Sequence, residues 1–162
     1  MSATEELIVE CQRLEESCNY TAVTFIIWLK WLRVVKTVCS VAPVLFGFLA
    51  TWKIVEQGSP VISAMSVLLV TVIPPAYKVS KTDSKIKEYA ALGSEFTSLR
   101  DRFRQLAMIS SKKSFADFEK DVKPIIARLE KARSVVLTPP EICFRLARRK
   151  IQAGHYDPDN KD

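Results

Sequence analysis

Hydrophobic positions change their rhythm twice along this chain. From about Thr4 to Lys30, Leu7, Cys11, Leu14 and Cys18 recur at helical spacing among acids and amides, which predicts an amphipathic helix. From Val34 to Trp52 the alternation disappears, and Lys36 is the one charge in VVKTVCSVAPVLFGFLATW. A second uncharged run covers Gln57 to Tyr77. A helix rises 1.5 Å per residue, so roughly 20 residues cross the ~30 Å hydrocarbon core of a bilayer. Segments 34–52 and 59–77 are each close to that length, and the stretch between them is too short for another element. The pair reads as a helical hairpin, with Pro43 and Gly47 marking a kink in its first arm and Pro74–Pro75 a bend or stop near the end of its second.

Beyond Tyr77 the pattern becomes that of water-facing helices. Ile86, Tyr89, Phe96, Leu99, Phe103 and Leu106 share one stripe and predict a helix over 82–108. Ser114 with Asp117 three residues on is a capped start for a helix over 115–136, which aligns Phe115, Phe118, Val122, Ile125, Leu129 and Ala132. Pro124 falls inside it and predicts a kink or a division into two shorter helices. Thr138-Pro139-Pro140-Glu141 reads as a further start, with Thr138 as N-cap, and Gly154 as the stop of a last helix. The expected fold class is all-α: a leading helix over 1–33, a transmembrane hairpin over 34–77, a cytoplasmic helical bundle over 78–154 and a polar tail over 155–162.

Charge sharpens this division. The chain carries 24 Lys and Arg against 18 Asp and Glu, a net +6, and a mean hydropathy of +0.07 that resembles an ordinary soluble domain. Residues 1–77 hold five basic and six acidic side chains, so the positive excess lies wholly in the second half. Lys30, Arg33 and Lys36 precede the first span, and Lys78, Lys81, Lys85 and Lys87 follow the second, while the connecting loop offers Lys53 offset by Glu56. By the positive-inside rule both termini are expected in the cytoplasm, with the chain crossing the membrane twice. Trp31, Trp52 and Tyr77, with Lys78 and Lys81, stand where interfacial anchors belong. Residues 1–20 are acidic and have no apolar core, so they do not read as a signal peptide. The competing reading is a hairpin buried inside a soluble all-α protein; neither run shows the polar face such a helix keeps.

Catalytic chemistry has little to stand on. The four glycines form no phosphate-cradling loop, the single histidine lies in the tail, and no cysteine–histidine spacing suits a metal. The sequence therefore predicts no enzyme, no cofactor and no metal. Cys11 and Cys18 suit a small apolar core in a reducing compartment, with an intermolecular disulfide as the alternative. Ser59, Ser63 and Ser66 recur at i, i+4, i+7, a stripe that serves either close helix packing or the lining of a pore. Two helices cannot enclose a channel, so conduction requires a homo-oligomer. Arg145, Arg148, Arg149 and Lys150 form a basic cluster larger than a helix end needs. It suits either a solvated face that complements the helix dipole or a surface for an acidic partner or a nucleotide phosphate. No motif for sequence-specific nucleic-acid binding is present.

The layout as a whole resembles the SLATT proteins, two-transmembrane effector domains of bacterial conflict systems. The resemblance is carried by the leading helix and hairpin, by the Arg102–Phe118 and Lys123–Arg133 segments, and by Leu146-Ala147-Arg148-Arg149-Lys150-Ile151-Gln152-Ala153-Gly154-His155-Tyr156. It implies a homo-oligomeric pore-forming membrane effector of an antiviral defence system of the abortive-infection type, gated by its cytoplasmic helices. A nucleotide-generating or nucleotide-sensing domain fused in such systems has no counterpart here. The implied trigger is therefore a separate nucleotide-signalling protein, a nucleotide ligand or assembly itself. Two other readings fit the pattern: a non-conducting membrane-anchored adaptor or scaffold for an acidic partner, and a holin-like lysis protein.

Overall fold

A computed structural model of the chain describes residues 3–55, 60–79, 81–109, 112–135 and 137–154. Those residues form five helices and no strand: α1 (Ala3–Val55), α2 (Pro60–Val79), α3 (Thr82–Met108), α4 (Phe115–Arg133) and α5 (Glu141–Gln152). The protein is all-α. The helix expected over 82–108 appears with those bounds, and the tail after Gly154 lies outside the described residues.

The prolines within α2 and α4 neither stop nor divide these helices. α2 runs through Pro74 and Pro75 to Val79, and α4 runs through Pro124 without dividing. Each proline forfeits one backbone hydrogen bond, yet a helix held by tertiary packing tolerates that loss. Pro124 is exposed, on the side of α4 away from Phe118, Val122, Leu129 and Ala132, which are buried. α4 stops at Arg133, with Ser134 as C-cap donating its N–H to the Glu130 carbonyl, short of the expected end near 136. Its start is as the sequence predicts: Ser114 Oγ accepts the Asp117 N–H at 3.4 Å and donates to the Asp117 carboxylate at 2.6 Å.

The start of α5 is a correction. Its N-cap is Pro140, with no side-chain capping bond, and Thr138 lies outside the helix. Pro140 disfavours the α conformation at Pro139, and Pro139 does the same to Thr138, so the helix begins after the second ring. The first turn closes where the Cys143 N–H donates to the Pro140 carbonyl at 2.9 Å. At the other end Gly154 takes φ of 78°, the left-handed conformation that ends helices, and donates to the Ile151 carbonyl.

The chain divides into two compact units, one joining residues up to Trp28 with those from Glu88 onward, the other comprising Leu29–Lys87. In the first, three helices each commit one stripe to a common core. α1 supplies Cys11, Cys18, Ala22 and Phe25, α3 supplies Phe96, Leu99, Phe103 and Leu106, and α4 supplies Phe118, Val122, Leu129 and Ala132. Phe25 stacks on Phe96 with ring centroids 5.8 Å apart. A smaller cluster joins Val23 and Ile27 of α1 to Cys143 and Ala147 of α5, with Trp28 and Ile151 packed against it. The aromatic residues near the end of the leading amphipathic stretch thus pack on helices. Thr21 and Thr24 satisfy their hydroxyls on the carbonyls four residues back, which lets that part of α1 pack closely. Polar ties at the rim join Arg128 to Glu95 at 2.8 Å, Arg133 to Ser17 at 3.2 Å and Arg100 to Asn19 at 3.4 Å.

The Leu29–Lys87 unit is built in the opposite sense. Trp31, Val34, Val38, Val44, Phe48 and Trp52 of α1 are exposed, as are Val61, Met65, Leu68 and Val72 of α2. By length and composition one described helix, α1 within Ala3–Leu49, is able to cross a membrane, and none of its most apolar 18-residue window is buried. The described apolar stretch of α2, Ala64–Pro75, is shorter.

Candidate functional site

Three features have chemistry beyond packing, and each lies within one unit. The first is a polar clasp in the Leu29–Lys87 unit. Lys36, the one charge within the first apolar run, donates from Nζ to Asp83 Oδ1 at 2.8 Å. The Tyr77 hydroxyl donates to the same oxygen at 3.0 Å. These two donors, the Lys36 ammonium first, hold the Asp83 carboxyl below its ordinary pKa. Asp83 sits in the first turn of α3, where an acid also suits the helix dipole. Lys81, just before it, takes φ of 48°, and its carbonyl accepts the Lys85 N–H. The chain therefore turns from α2 into α3 through a left-handed residue and presents a carboxylate to α1. Tyr77 and Lys81, read as interfacial anchors, are respectively a half-buried clasp member and an exposed turn residue. Trp31 and Trp52 are exposed, and the side chain of Lys78 lies outside the described residues.

Of the serine stripe, Ser59 and the side chain of Ser63 lie outside the described residues. Ser66 is 6% exposed, inside its own unit. That is the environment of the packing role. Lining a conduit requires assembly to turn this face toward an axis.

The second feature is the exposed side of α5. Arg145, Arg148, Arg149 and Lys150 all face solvent, and Arg145 lies 3.9 Å from Glu141. Arg149 and Lys150 occupy the last turn, where cations complement the dipole. Arg145 is too far from the C-terminus for that role. The helix is fastened by its other side, through buried Cys143 and Ala147.

The third is a cavity of about 460 Å³ in the unit that contains α4 and α5. Phe25, Leu92, Phe96, Ala132 and Phe144 supply its apolar walls, with Arg133 among the few polar lining groups. Its volume is within the range of small-molecule sites. Among the described residues no group of three or more His, Cys, Asp or Glu side chains is arranged to hold a metal.

Buried Cys11 and Cys18 are free thiols, and burial pushes each up to about 11, helped at Cys11 by Glu10 and opposed at Cys18 by Arg133. Both belong to the main core, an environment for apolar packing rather than disulfide exchange.

Sequence reasoning missed Asp83 and the cavity. Asp83 had a usable signal: a lysine within an apolar run calls for a counter-charge, and Asp83 is the first acid after the second run. The cavity had none, because its walls come from four helices and the connection before α5. No family model, no curated protein and no solved structure matches the chain. The class defined by fold and surfaces is an all-α protein in which one described helix is long and apolar enough to cross a membrane.

Proposed function

We propose that the protein is an inner-membrane effector with both termini cytoplasmic. Its 34–77 segment spans the bilayer as a two-helix hairpin. It assembles as a homo-oligomer and permeabilises the membrane under the control of its helical domain. One observation carries the membrane part: the 29–87 unit exposes large apolar side chains along α1 and α2, while the other unit gathers Leu99, Phe103, Phe118 and Leu129 into a buried core. In water such a surface is a severe liability; lipid or neighbouring copies remove it. The clasp suits the same setting, since a lysine within an apolar run at the bilayer edge is best tolerated with its charge paired. The resemblance to SLATT effectors adds the pore, the defence role and a trigger from a separate nucleotide-signalling protein or nucleotide ligand.

Reconstitution tests both parts. The chain resists extraction by alkaline carbonate, and vesicles loaded with a self-quenching dye leak in proportion to protein density. Extraction of the chain into the supernatant removes the membrane reading. Retention without leakage at any density, with or without cell extract, removes the pore. The burial of Ser66 favours one second reading, a membrane-anchored adaptor whose spans pack tightly and whose basic helix recruits an acidic partner.

A further inference from the structure

The dipole accounts for Arg149 and Lys150 but leaves unexplained what surrounds them on α5. Ile142, Arg145, Leu146, Arg149 and Lys150 stand at i, i+3, i+4, i+7 and i+8, which is a single stripe of the helix. Every one of them is exposed; Ile142 is 61% and Leu146 36% accessible. Cys143, Ala147 and Ile151 form a separate stripe that packs on Val23, Ile27 and Trp28 of α1. The outward stripe therefore alternates aliphatic side chains with long cations on a helix already fixed from behind. Among the described residues the acid beside it is Glu141, 3.9 Å from Arg145. A merely solvated face has no use for Ile142 and Leu146. A nucleotide phosphate alone would be met by the cations and leave those two side chains in water.

We infer that the Ile142–Lys150 stripe of α5 is a docking surface for the headgroup region of an anionic bilayer, independent of the spanning segment. The arginines meet lipid phosphates and carboxylates, while Ile142 and Leu146 enter the boundary between headgroups and acyl chains. Charge complementarity selects this occupant, and the same chain carries a helix suited to lipid, which holds a bilayer at high effective concentration. The inference rests on the membrane reading only for that supply of bilayer; it requires neither the hairpin nor the pore.

The test uses the full chain with Cys39→Ser and Leu146→Cys, labelled at position 146 with an environment-sensitive fluorophore. Cys11, Cys18 and Cys143 are buried and remain unlabelled in the folded protein. The chain is reconstituted in vesicles of phosphatidylcholine, with or without a third of phosphatidylglycerol, containing a lipid quencher at the headgroup boundary. Quenching is expected in the anionic vesicles, falling with added salt and with removal of the anionic lipid. Each cation removed lowers the docked-to-free ratio about fivefold, so Arg145→Gln with Arg149→Gln lowers it about 25-fold. Equal quenching in both vesicle types, or no response to the double substitution, overturns the inference. So does salt-sensitive binding of poly-glutamate to this face without quenching, which assigns it to an acidic protein.

Carbonate extraction of the same samples separates the two claims. A chain that resists extraction but shows no quenching leaves the membrane reading standing and removes this one. A chain that is extracted yet quenched by anionic vesicles beforehand supports peripheral docking through α5 and removes the hairpin.

Discussion

Single side chains set the pH limits and the stiffness of the helical unit. Cys11 and Cys18 ionise near 11 when folded, against about 8.5 in an unfolded chain. Because the folded state favours the neutral thiols, their contribution is complete below about pH 8.5 and is lost as pH rises toward 11. The expected result is a denaturation midpoint that falls over this interval and falls less in Cys11→Ala, measured at several pH values. Both thiols should also resist a disulfide reagent at pH 8 until denaturant is added. Asp83 behaves in the opposite direction. Its folded pKa is lowered, so the clasp is fully formed above the unfolded value of about 3.9 and is lost as pH falls through the lower folded value. Carboxyl NMR in detergent should show Asp83 titrating below the usual aspartate range, and Lys36→Met should return it toward that range. Phe103 is fully buried among three helices, and Phe103→Ala should cost about 3–5 kcal/mol by denaturant titration.

The helices differ in what holds them. α4 carries a recognisable cap at Ser114, cations in its last turn and a four-residue buried stripe, and together these outweigh a proline in its interior. Pro124→Ala restores the missing backbone donor at an exposed site. It should raise stability by about 1–3 kcal/mol, read from the thermal midpoint. α5 has no side-chain cap and is held by Cys143 and Ala147 from behind. Spacing made the stripes of α3 and α4 legible, because a helix buried on one side must repeat its apolar residues every three to four positions. The N-cap of α5 lies two residues beyond Thr138, at Pro140. Threonine followed by two prolines carries the composition of a cap, but the second ring denies the first a helical conformation. α2 continues through Pro74 and Pro75 to Val79, so these prolines do not stop it.

The fold of the larger unit depends on both ends of the chain. α1 up to Trp28 provides Cys11, Cys18, Ala22 and Phe25 to a core otherwise made by α3 and α4, and Val23 and Ile27 to the seat of α5. Deleting residues 1–28 uncovers Phe96, Leu99 and Phe103 together. The expected outcome is loss of protease resistance across residues 88–154, followed by limited proteolysis and mass spectrometry. Survival of a resistant 88–154 fragment would mean that α3 to α5 form a core unaided.

Periodicity and charge sufficed for the helical class, the bounds of α3, the capped start of α4 and the contrast between an apolar stretch and a basic one. These are local properties: a helix reports its period within a few turns, and a run of uncharged residues reports its own cost in water. Tertiary structure alone decided that the leading helix belongs with the last three, that Asp83 meets Lys36 across 47 positions, and that Ser66 is turned inward. It also decided which stripe of α5 is spent on packing and which stays open. Such outcomes depend on which apolar faces fit one another among many of similar composition. That matching is settled by shape and by the pairing of buried or half-buried charge, and neither has a period to read along the chain.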